Sequence, residues 1–164
     1  MSPEAVEVAD FEAFHRREWP AMVALAAAVT GDHLAAEDIA HEALIKAHRR
    51  WDTVGGYDKP GAWLRRITIN LALSSRRRAK RELAARLRLA DVTRTLAPAP
   101  VVHDDVWAAV RRLPGKQRAA IALFYLEDRT VAEIADALEC AEATARVHLH
   151  RGRTALAQFL EGSR

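Results

Sequence analysis

The sequence is poor in the features that mark disulfide-rich, membrane-spanning or sheet-rich proteins. Its 164 residues include one cysteine, Cys140, which excludes an internal disulfide framework. Aromatic residues make up 6% of the chain while alanine is frequent, and this favours helices over strands. No apolar run approaches the roughly 20 residues that span a bilayer. The acidic N-terminus lacks the basic start and apolar core of a signal peptide, so we expect a cytoplasmic protein.

The chain does have the balance of a folded globular protein, with 50% hydrophobic and 29% charged residues. Apolar residues recur at helical spacing along most of it, and no strand-like alternation of useful length occurs. This pattern is lost at 89–103, where Pro98 and Pro100 forbid a regular helix. The sequence therefore predicts an all-α protein of two small helical domains, 1–88 and 104–164, joined by a linker.

Three main helices are predicted in the first domain. The first covers about residues 8–30, and Pro20 inside it predicts a bend or break at that point. The second is predicted to face inward at Leu34, Ile39, Ala43, Leu44, Ala47 and Trp51. Its outward positions include Glu37, Asp38, His41, Glu42 and Lys46. After a Gly/Pro loop, the third begins near Pro60, where a missing N–H costs nothing, and extends to about residue 88. Four shorter helical patterns fill the second domain, over 104–112, 115–127, 130–138 and 142–160.

Basic charge is concentrated in one stretch of the chain. Residues 59–88 hold ten Lys and Arg against a single acid, Glu82, for a net charge of +9. The preceding 58 residues carry a net −6, and the rest of the chain is neutral. Such a stretch is a candidate binding surface for a polyphosphate chain. The plainer alternative is a helical face that is simply exposed to solvent.

The strongest local signal lies between Thr130 and Leu156, where a short capped helix, a turn and a longer helix follow at helix-turn-helix spacing. Thr130 and Glu133 have the spacing of a capping box. Glu139 stands in the turn where glycine is preferred. The inward face of the longer helix, expected to pack on Ile134 and Leu138, is Ala145, Leu149, Gly152 and Leu156. The outward face and its flanks, which could enter a major groove, are Thr144, Arg146, Val147, His150, Arg151 and Thr154.

Candidate catalytic and metal sites are weak. His41-Glu42 begins like a zinc-binding HExxH motif, but Ile45 stands where the second histidine belongs. Asp38 and His41 have the spacing of one half of a di-iron site, without a second such pair. Nucleophile elbows and phosphate-binding glycine loops do not occur. The sequence therefore predicts no catalysis, no metal and no cofactor.

The basic stretch also contains aromatic residues. Tyr57 and Trp63 flank the Gly/Pro loop, and basic side chains follow on one helix. Aromatic faces stack on unpaired bases while Arg and Lys follow the backbone, a combination suited to single-stranded or melted DNA. The plainer interpretation of Trp63 is a core residue that anchors the start of the helix.

Three blocks of this sequence, at 36–51, 60–78 and 113–156, resemble the bacterial RNA polymerase sigma factors. The similarity is to the small extracytoplasmic-function (group 4) class of the sigma-70 family, and it extends from about residue 11 to 160 with the blocks in family order. Three positions depart from the family pattern: His41 replaces a glutamine, Glu139 replaces the turn glycine, and Ala143 replaces another glycine.

The resemblance implies that 1–88 is sigma region 2 and 104–164 is region 4, acting with core RNA polymerase and promoter DNA. The acidic second helix of region 2 would dock on the clamp helices of the polymerase β′ subunit through Glu37, Asp38, His41 and Glu42. The minus-ten element would be recognised and melted by Tyr57, Trp63, Arg65, Arg66, Asn70, Arg76, Arg77 and Arg78, with Asn70 near a flipped base.

Region 4 would rest on the polymerase β flap and read the minus-thirty-five element, according to the same resemblance. The residues it implies are Arg118, Thr130, Thr144, Arg146, Val147, His150 and Arg151, of which Arg118 and Thr130 contact the DNA backbone. An anti-sigma factor, which restrains many members of the family, is a further candidate partner.

Three other functions are alternatives to this one. A free-standing repressor or activator using the helix-turn-helix alone leaves the +9 stretch unexplained. A metal-dependent nuclease or hydrolase would need Asp38 and His41 as ligands. An anti-sigma-like adaptor would bind polymerase without conferring promoter-specific transcription.

Overall fold

The structure, a computed structural model, describes residues 3–89 and 105–162, with side chains from Asp10 onward. Every regular element within these ranges is a helix, as predicted. The eight helices are α1 (Pro3–Thr30), α2 (His33–Arg49), α3 (Trp51–Val54), α4 (Pro60–Leu89), α5 (Asp105–Val110), α6 (Gly115–Glu127), α7 (Val131–Leu138) and α8 (Glu142–Glu161). The predicted linker, 89–103, lies outside the described residues except for Leu89. None of the described helices has the length and apolarity that crossing a bilayer requires.

α1 continues through Pro20, so the predicted break does not occur. Proline removes one backbone donor and crowds the carbonyl four residues earlier. Packing on both sides of Pro20 holds the helix despite this cost. Phe14 is buried against Trp51, and the hydroxyl of Thr68 on α4 donates to the sulfur of Met22 at 3.3 Å.

α2 is fixed at its start by a capping side chain and along its length by close packing. The Asp32 carboxylate accepts hydrogen bonds from the backbone N–H groups of Leu34 and Ala35, which would otherwise be unsatisfied. The buried face of α2 consists largely of small residues that let α1 and α4 approach closely: Ala36, Ala40, Ala43 and Ala47. The prediction that Leu34 points inward is wrong, because it lies in the first turn beyond this face and is 76% exposed.

The C-terminal half, residues 105–162, is built around the predicted helix-turn-helix. Thr130 and Glu133 form the predicted capping box, with each side chain accepting from the backbone N–H of the other. The hydrogen bond from the backbone N–H of Thr130 to the Glu133 carboxylate lowers the pKa of Glu133 below its ordinary value. α7 ends at Leu138, and Glu139 after it has a φ of 53°, the left-handed conformation that favours glycine. The sequence thus located the turn correctly, including the unusual residue within it.

α8 packs on α6 and α7 through the predicted inward face. Ala145, Leu149 and Gly152 are buried, and Leu156 is half-buried. The approach to α6 is close, because a Cβ added at Gly152 would lie 2.8 Å from Cγ1 of Ile121. The rigid placement of α8 therefore depends on the absence of a side chain at one position.

The two halves, 3–89 and 105–162, pack against each other rather than lying apart. α1 contacts α6, and α4 contacts both α6 and α7. Buried side chains from both halves form one continuous apolar cluster. A Cβ added at Gly115 would lie 2.7 Å from Cδ2 of Leu73, which shows how closely α4 approaches the start of α6.

Candidate nucleic-acid interface

The outer side of α8 carries six exposed residues, which we call the recognition face: Thr144, Arg146, Val147, His150, Arg151 and Thr154. All six lie where the helical wheel predicts. Arg146 forms an ion pair with Glu142 one turn earlier, at 3.2 Å. Because both of these side chains are mostly exposed, the pair is weak, and Arg146 can exchange it for another acceptor. Thr130, at the start of α7, is also exposed.

The basic helix α4 has two different environments along its length. From Arg77 to Leu89 every residue is exposed, and the segment includes Arg78 and four further basic residues. This portion presents positive charge to solvent. The earlier portion, from Pro60 to Arg76, packs against α1, α2 and the C-terminal half.

Arg65 lies on that packed portion, between two carboxylates. Its Nη2 is 3.4 Å from Oε2 of Glu18 on α1, and its Nε donates to Oε2 of Glu127 at the end of α6. All three side chains are nearly buried. Arg129 approaches the same Glu127 oxygen at 3.5 Å. The charge of a guanidinium expected to contact DNA is therefore balanced by two carboxylates of the same chain.

Asn70 and Arg66 both face the turn of the helix-turn-helix. Asn70 Nδ2 donates to Oε2 of Glu139 at 3.4 Å, and Arg66 Nε lies 4.0 Å from Oε1 of the same carboxylate. Glu139 belongs to the other half of the chain, and its side chain is about half exposed. Two residues expected to contact the minus-ten element therefore both approach one carboxylate of the same chain.

Arg76 and Arg118 donate to backbone carbonyls across the same boundary. Arg76 Nη2 bonds to the carbonyl of Leu113 at 2.9 Å, and Arg118 Nη1 bonds to that of Val29 at 2.7 Å. Arg118 also donates to the carbonyl of Arg111 and is 3% exposed. Burial, together with the nearby positive charges of Arg76 and Arg111, lowers the pKa of Arg118 to about 10, so it stays charged at neutral pH. In this arrangement Arg118 is not accessible to DNA.

The two aromatic residues of the Gly/Pro loop region differ in exposure. Tyr57 is 42% exposed, whereas Trp63 is half-buried and packs against the apolar core. Tyr57 can therefore offer a ring face to a base without rearrangement. The core packing of Trp63 agrees with the plainer of its two interpretations, although the residue keeps some exposure to solvent.

The acidic side of α2, which we call the acidic face, is exposed to solvent at Glu37, Asp38, His41 and Glu42. Glu42 pairs with Lys46 at 3.8 Å and Glu37 with His33 at 3.4 Å, both at helical i, i+4 spacing. Among the described residues, no group of three or more His, Cys, Asp or Glu is placed to hold a metal ion. The acidic face is thus suited to a basic protein partner.

Sequence reasoning missed the acidic residues that contact α4 from within the chain. Glu18 and Glu127 carry no local motif, and Glu127 is 62 positions from Arg65. Glu139 attracted attention only as an unusual turn residue. A signal for Glu139 did exist, since a non-glycine residue at a left-handed position often has a compensating contact.

Comparisons with known proteins agree with this arrangement of helices. A family model described as Sigma-70 region 2 matches residues 14–82, and one described as Sigma-70, region 4 matches residues 103–156. The ECF RNA polymerase sigma factor SigW of Bacillus subtilis is 31% identical over 140 residues, covering 76% of this chain and 75% of that protein. The RNA polymerase sigma-E factor of Streptomyces avermitilis is 28% identical over 158 residues, covering 94% and 87%.

Solved structures give the same result. The sigma factor RpoE, in a co-crystal structure with the anti-sigma factor NepR from Bartonella quintana, superposes with a TM-score of 0.75. That match is 26% identical and covers 94% of this chain and 99% of the other. CnrH, in complex with the cytosolic domain of CnrY, shares the fold with a TM-score of 0.66 at 20% identity, covering 94% and 89%.

Proposed function

Because this chain belongs to the sigma-70 family, in its extracytoplasmic-function class, we propose residue-level roles for the surfaces described above. Sigma factors of this class bind core RNA polymerase and direct promoter-specific initiation of transcription, and they are non-catalytic by family. We extend that non-catalytic role to this chain and place it in the cytoplasm, where core polymerase acts. We also divide the chain into region 2 (1–88), a linker (89–103) and region 4 (104–164).

Region 2 recognises and opens the minus-ten element through α4 and the loop before it. Asn70 supplies donor and acceptor groups for a base flipped from the stack, and Tyr57 and Trp63 supply ring faces for unpaired bases. The DNA backbone is held by Arg65, Arg66, Arg76, Arg77 and Arg78. The exposed, positively charged portion of α4 supports this role, since the backbone contributes most of the binding energy.

Region 4 reads the minus-thirty-five element through the recognition face. Arg146 and Arg151 can donate to guanine edges or phosphates, and Val147, 43% exposed despite being apolar, can contact a thymine methyl group. Thr130 and Arg118 serve as backbone contacts, the latter only after the halves separate. The observation that carries this proposal is the exposed recognition face on a helix whose other side is fully packed.

The acidic face of α2 docks on the β′ clamp helices of core polymerase, and the body of region 4 rests on the β flap. Exposed carboxylates at Glu37, Asp38 and Glu42 support an interface with a basic partner, because complementary charge guides and orients association. His41 lies among them and contributes a hydrogen-bonding imidazole ring.

An anti-sigma factor is a second partner that we propose for this chain. The matched RpoE structure is of a sigma factor bound to its anti-sigma factor. A protein of that kind would bind surfaces that polymerase or DNA otherwise occupies. Co-purification of the tagged chain from its own cells in the absence of polymerase tests this proposal.

Run-off transcription with core polymerase on a library of genomic fragments tests the function most simply. We expect discrete transcripts that share upstream elements and that appear only when the chain is added. Transcripts that are identical with and without the chain would refute the proposal. Tight duplex binding in the absence of polymerase would instead favour a free-standing repressor or activator.

A further inference from the structure

Three arginine side chains gather around the segment that leads into α6, and we call them the arginine cluster: Arg76, Arg111 and Arg118. Arg76 reaches this segment from α4, where its Nη2 donates to the carbonyl of Leu113 at 2.9 Å. Arg118 reaches it from α6 and donates to the carbonyl of Arg111. The side chains of Arg111 and Arg118 lie side by side at the turn after α1, because a Cβ added at Gly31 would lie 3.1 Å from Cδ of the first and 3.7 Å from Nη1 of the second. Three positive charges therefore come together at one place.

The arginine cluster lacks the carboxylates that a group of guanidinium ions ordinarily has around it. Within residues 10–89 and 105–162, no Asp or Glu side chain lies within ion-pair distance of any of its members. Asp32, next to Gly31, accepts instead from the N–H groups that open α2. Arg65 shows the ordinary arrangement, since it lies between two carboxylates. Because buried charges in proteins are usually paired, the cluster is a place where negative charge is missing.

The shortage of negative charge is greatest at Arg118, which is 3% exposed. Its Nε is buried and has no hydrogen-bond partner among the described residues. Burial and the positive charges of Arg76 and Arg111 lower the pKa of Arg118, and burial also lowers the pKa of Arg76. Both shifts mean that the surroundings disfavour the charged form of the guanidinium. An anion beside these groups would favour the charged form.

The start of α6 adds positive charge of a second kind. Its N-cap residue is Pro114, no side chain in the described part of the chain caps it, and its first turn contains no acidic residue. The free N–H groups of a helix start carry partial positive charge, which attracts anions and repels cations. A cation nevertheless lies there, because a Cβ added at Gly115 would be 3.0 Å from Nη1 of Arg76. Lys116 follows in the same turn and is exposed. An anion at this point would meet main-chain N–H groups as well as guanidiniums.

We propose that the arginine cluster and the first turn of α6 bind a small phosphate-bearing anion. Guanidinium groups form paired hydrogen bonds with phosphate oxygens, and a helix N-terminus favours the same ligand. Arg111 is exposed and Arg76 is half-buried, so a small anion can reach both, while the buried Arg118 contributes its charge. A DNA duplex carries the same phosphates, but the close packing around Arg118 favours a small ligand. The proposal goes beyond the proposed function, because it needs neither a promoter nor polymerase.

Arg111→Ala is the variant that tests the site, and Arg112→Ala is its matched control. The two arginines are neighbours, both are exposed, and either substitution removes one positive charge. Arg112 lies over the ring of Phe159 instead, 5.3 Å from the ring centroid. Neither arginine belongs to the DNA-contacting sets proposed above. Because Arg111 lies among like charges, Arg111→Ala should unfold at the same temperature as the wild type or higher when chloride is the only anion.

Inorganic pyrophosphate is the probe, with the ionic strength held constant by sodium chloride. Isothermal titration calorimetry of the full wild-type chain should give one site with a dissociation constant of about 1 mM or lower. Arg111→Ala should weaken this binding at least about tenfold, whereas Arg112→Ala should stay within about twofold of the wild type. Pyrophosphate at about ten times its dissociation constant should raise the unfolding temperature of the wild type and of Arg112→Ala by about 3–6 °C. The same concentration should raise that of Arg111→Ala by only about 1–2 °C.

An equal loss of affinity in Arg111→Ala and Arg112→Ala would overturn the proposal, because it would reflect net charge alone. A wild-type chain that does not bind pyrophosphate would overturn it as well. A DNA duplex of random sequence, added at equal phosphate concentration, should leave the pyrophosphate titration unchanged. Displacement of pyrophosphate by the duplex would assign the arginine cluster to the DNA backbone and refute a small ligand. None of these outcomes depends on run-off transcription, which tests the proposed function separately.

Discussion

Arg65 and Glu127 lie 62 positions apart in the sequence and form a nearly buried ion pair across the boundary between the two halves. Glu18 contacts the same guanidinium from α1, and Arg129 contacts the same carboxylate from beyond α6. The pair thus links the helix proposed to melt DNA to the half proposed to read the upstream element. Its strength should determine how readily the halves separate.

A double-mutant cycle on Arg65→Ala and Glu127→Ala should give a coupling energy of about 1–3 kcal/mol, measured as the free energy of unfolding in urea. The reason is burial, because water has little access to replace the partner that either substitution removes. An equivalent cycle on the exposed pair Glu42→Ala and Lys46→Ala should give only about 0.3–0.5 kcal/mol. Equal coupling in the two cycles would show that the halves are not held together by this pair.

Gly152→Ala should destabilise the C-terminal half by about 1–3 kcal/mol, because the added methyl group would press on Ile121 in a packed core. Thermal unfolding followed by circular dichroism measures this loss. Gly162→Ala is the control, since its added Cβ would meet nothing closer than 3.4 Å. A stable Gly152→Ala variant would mean that α8 can shift away from α6, contrary to the fold described above.

Asp38→Arg should lower the affinity for core polymerase by about 2 kcal/mol or more, because it reverses a charge on the acidic face at the proposed clamp interface. Folding should change little, since the residue is exposed on a helix. Glu161→Arg, an equal charge reversal at the exposed end of α8, serves as the control. Normal polymerase co-purification with Asp38→Arg would remove the acidic face from the interface.

The capping box of Thr130 and Glu133 predicts that the free energy of unfolding depends on pH. The folded-state pKa of Glu133 is lowered by the hydrogen bond from Thr130, so its contribution to stability is present above the unfolded-state pKa. That contribution is lost as the pH falls through the folded-state pKa. The difference in unfolding free energy between wild type and Glu133→Gln should therefore be largest near neutral pH and shrink in acid. A difference that stays constant with pH would mean that the charged form of Glu133 has no special role.

Local features of this fold could be predicted from the sequence because local chemistry determines them. The Thr130–Glu133 box needs only two residues three apart, and the inward face of α8 follows from helical periodicity. Even the left-handed turn was signalled, by Glu139 at a position that usually holds glycine. Helical periodicity also predicted that the acidic residues of α2 lie on its outward side.

Features that depend on distant residues could not be predicted. The sequence suggested a bend or break at Pro20, yet the helix continues through it, and Phe14 and Met22 on either side are buried against other helices. Nothing local shows that Glu127 contacts Arg65 or that Arg118 is buried under Val29. These contacts form because two helical halves meet, and their relative placement has no sequence pattern of its own.

Permanganate footprinting on intact and pre-melted promoter templates tests the central claim most directly, which is that α4 opens DNA while α8 reads it. With holoenzyme on intact template, Asn70→Ala should retain upstream binding and lose strand opening. Arg146→Ala and Arg151→Ala should weaken upstream recognition by about 1–3 kcal/mol for each base-contacting arginine. A pre-melted template should partly rescue Asn70→Ala and should not restore the upstream specificity lost with either arginine. An identical response of all three variants to pre-melting would contradict this division of labour.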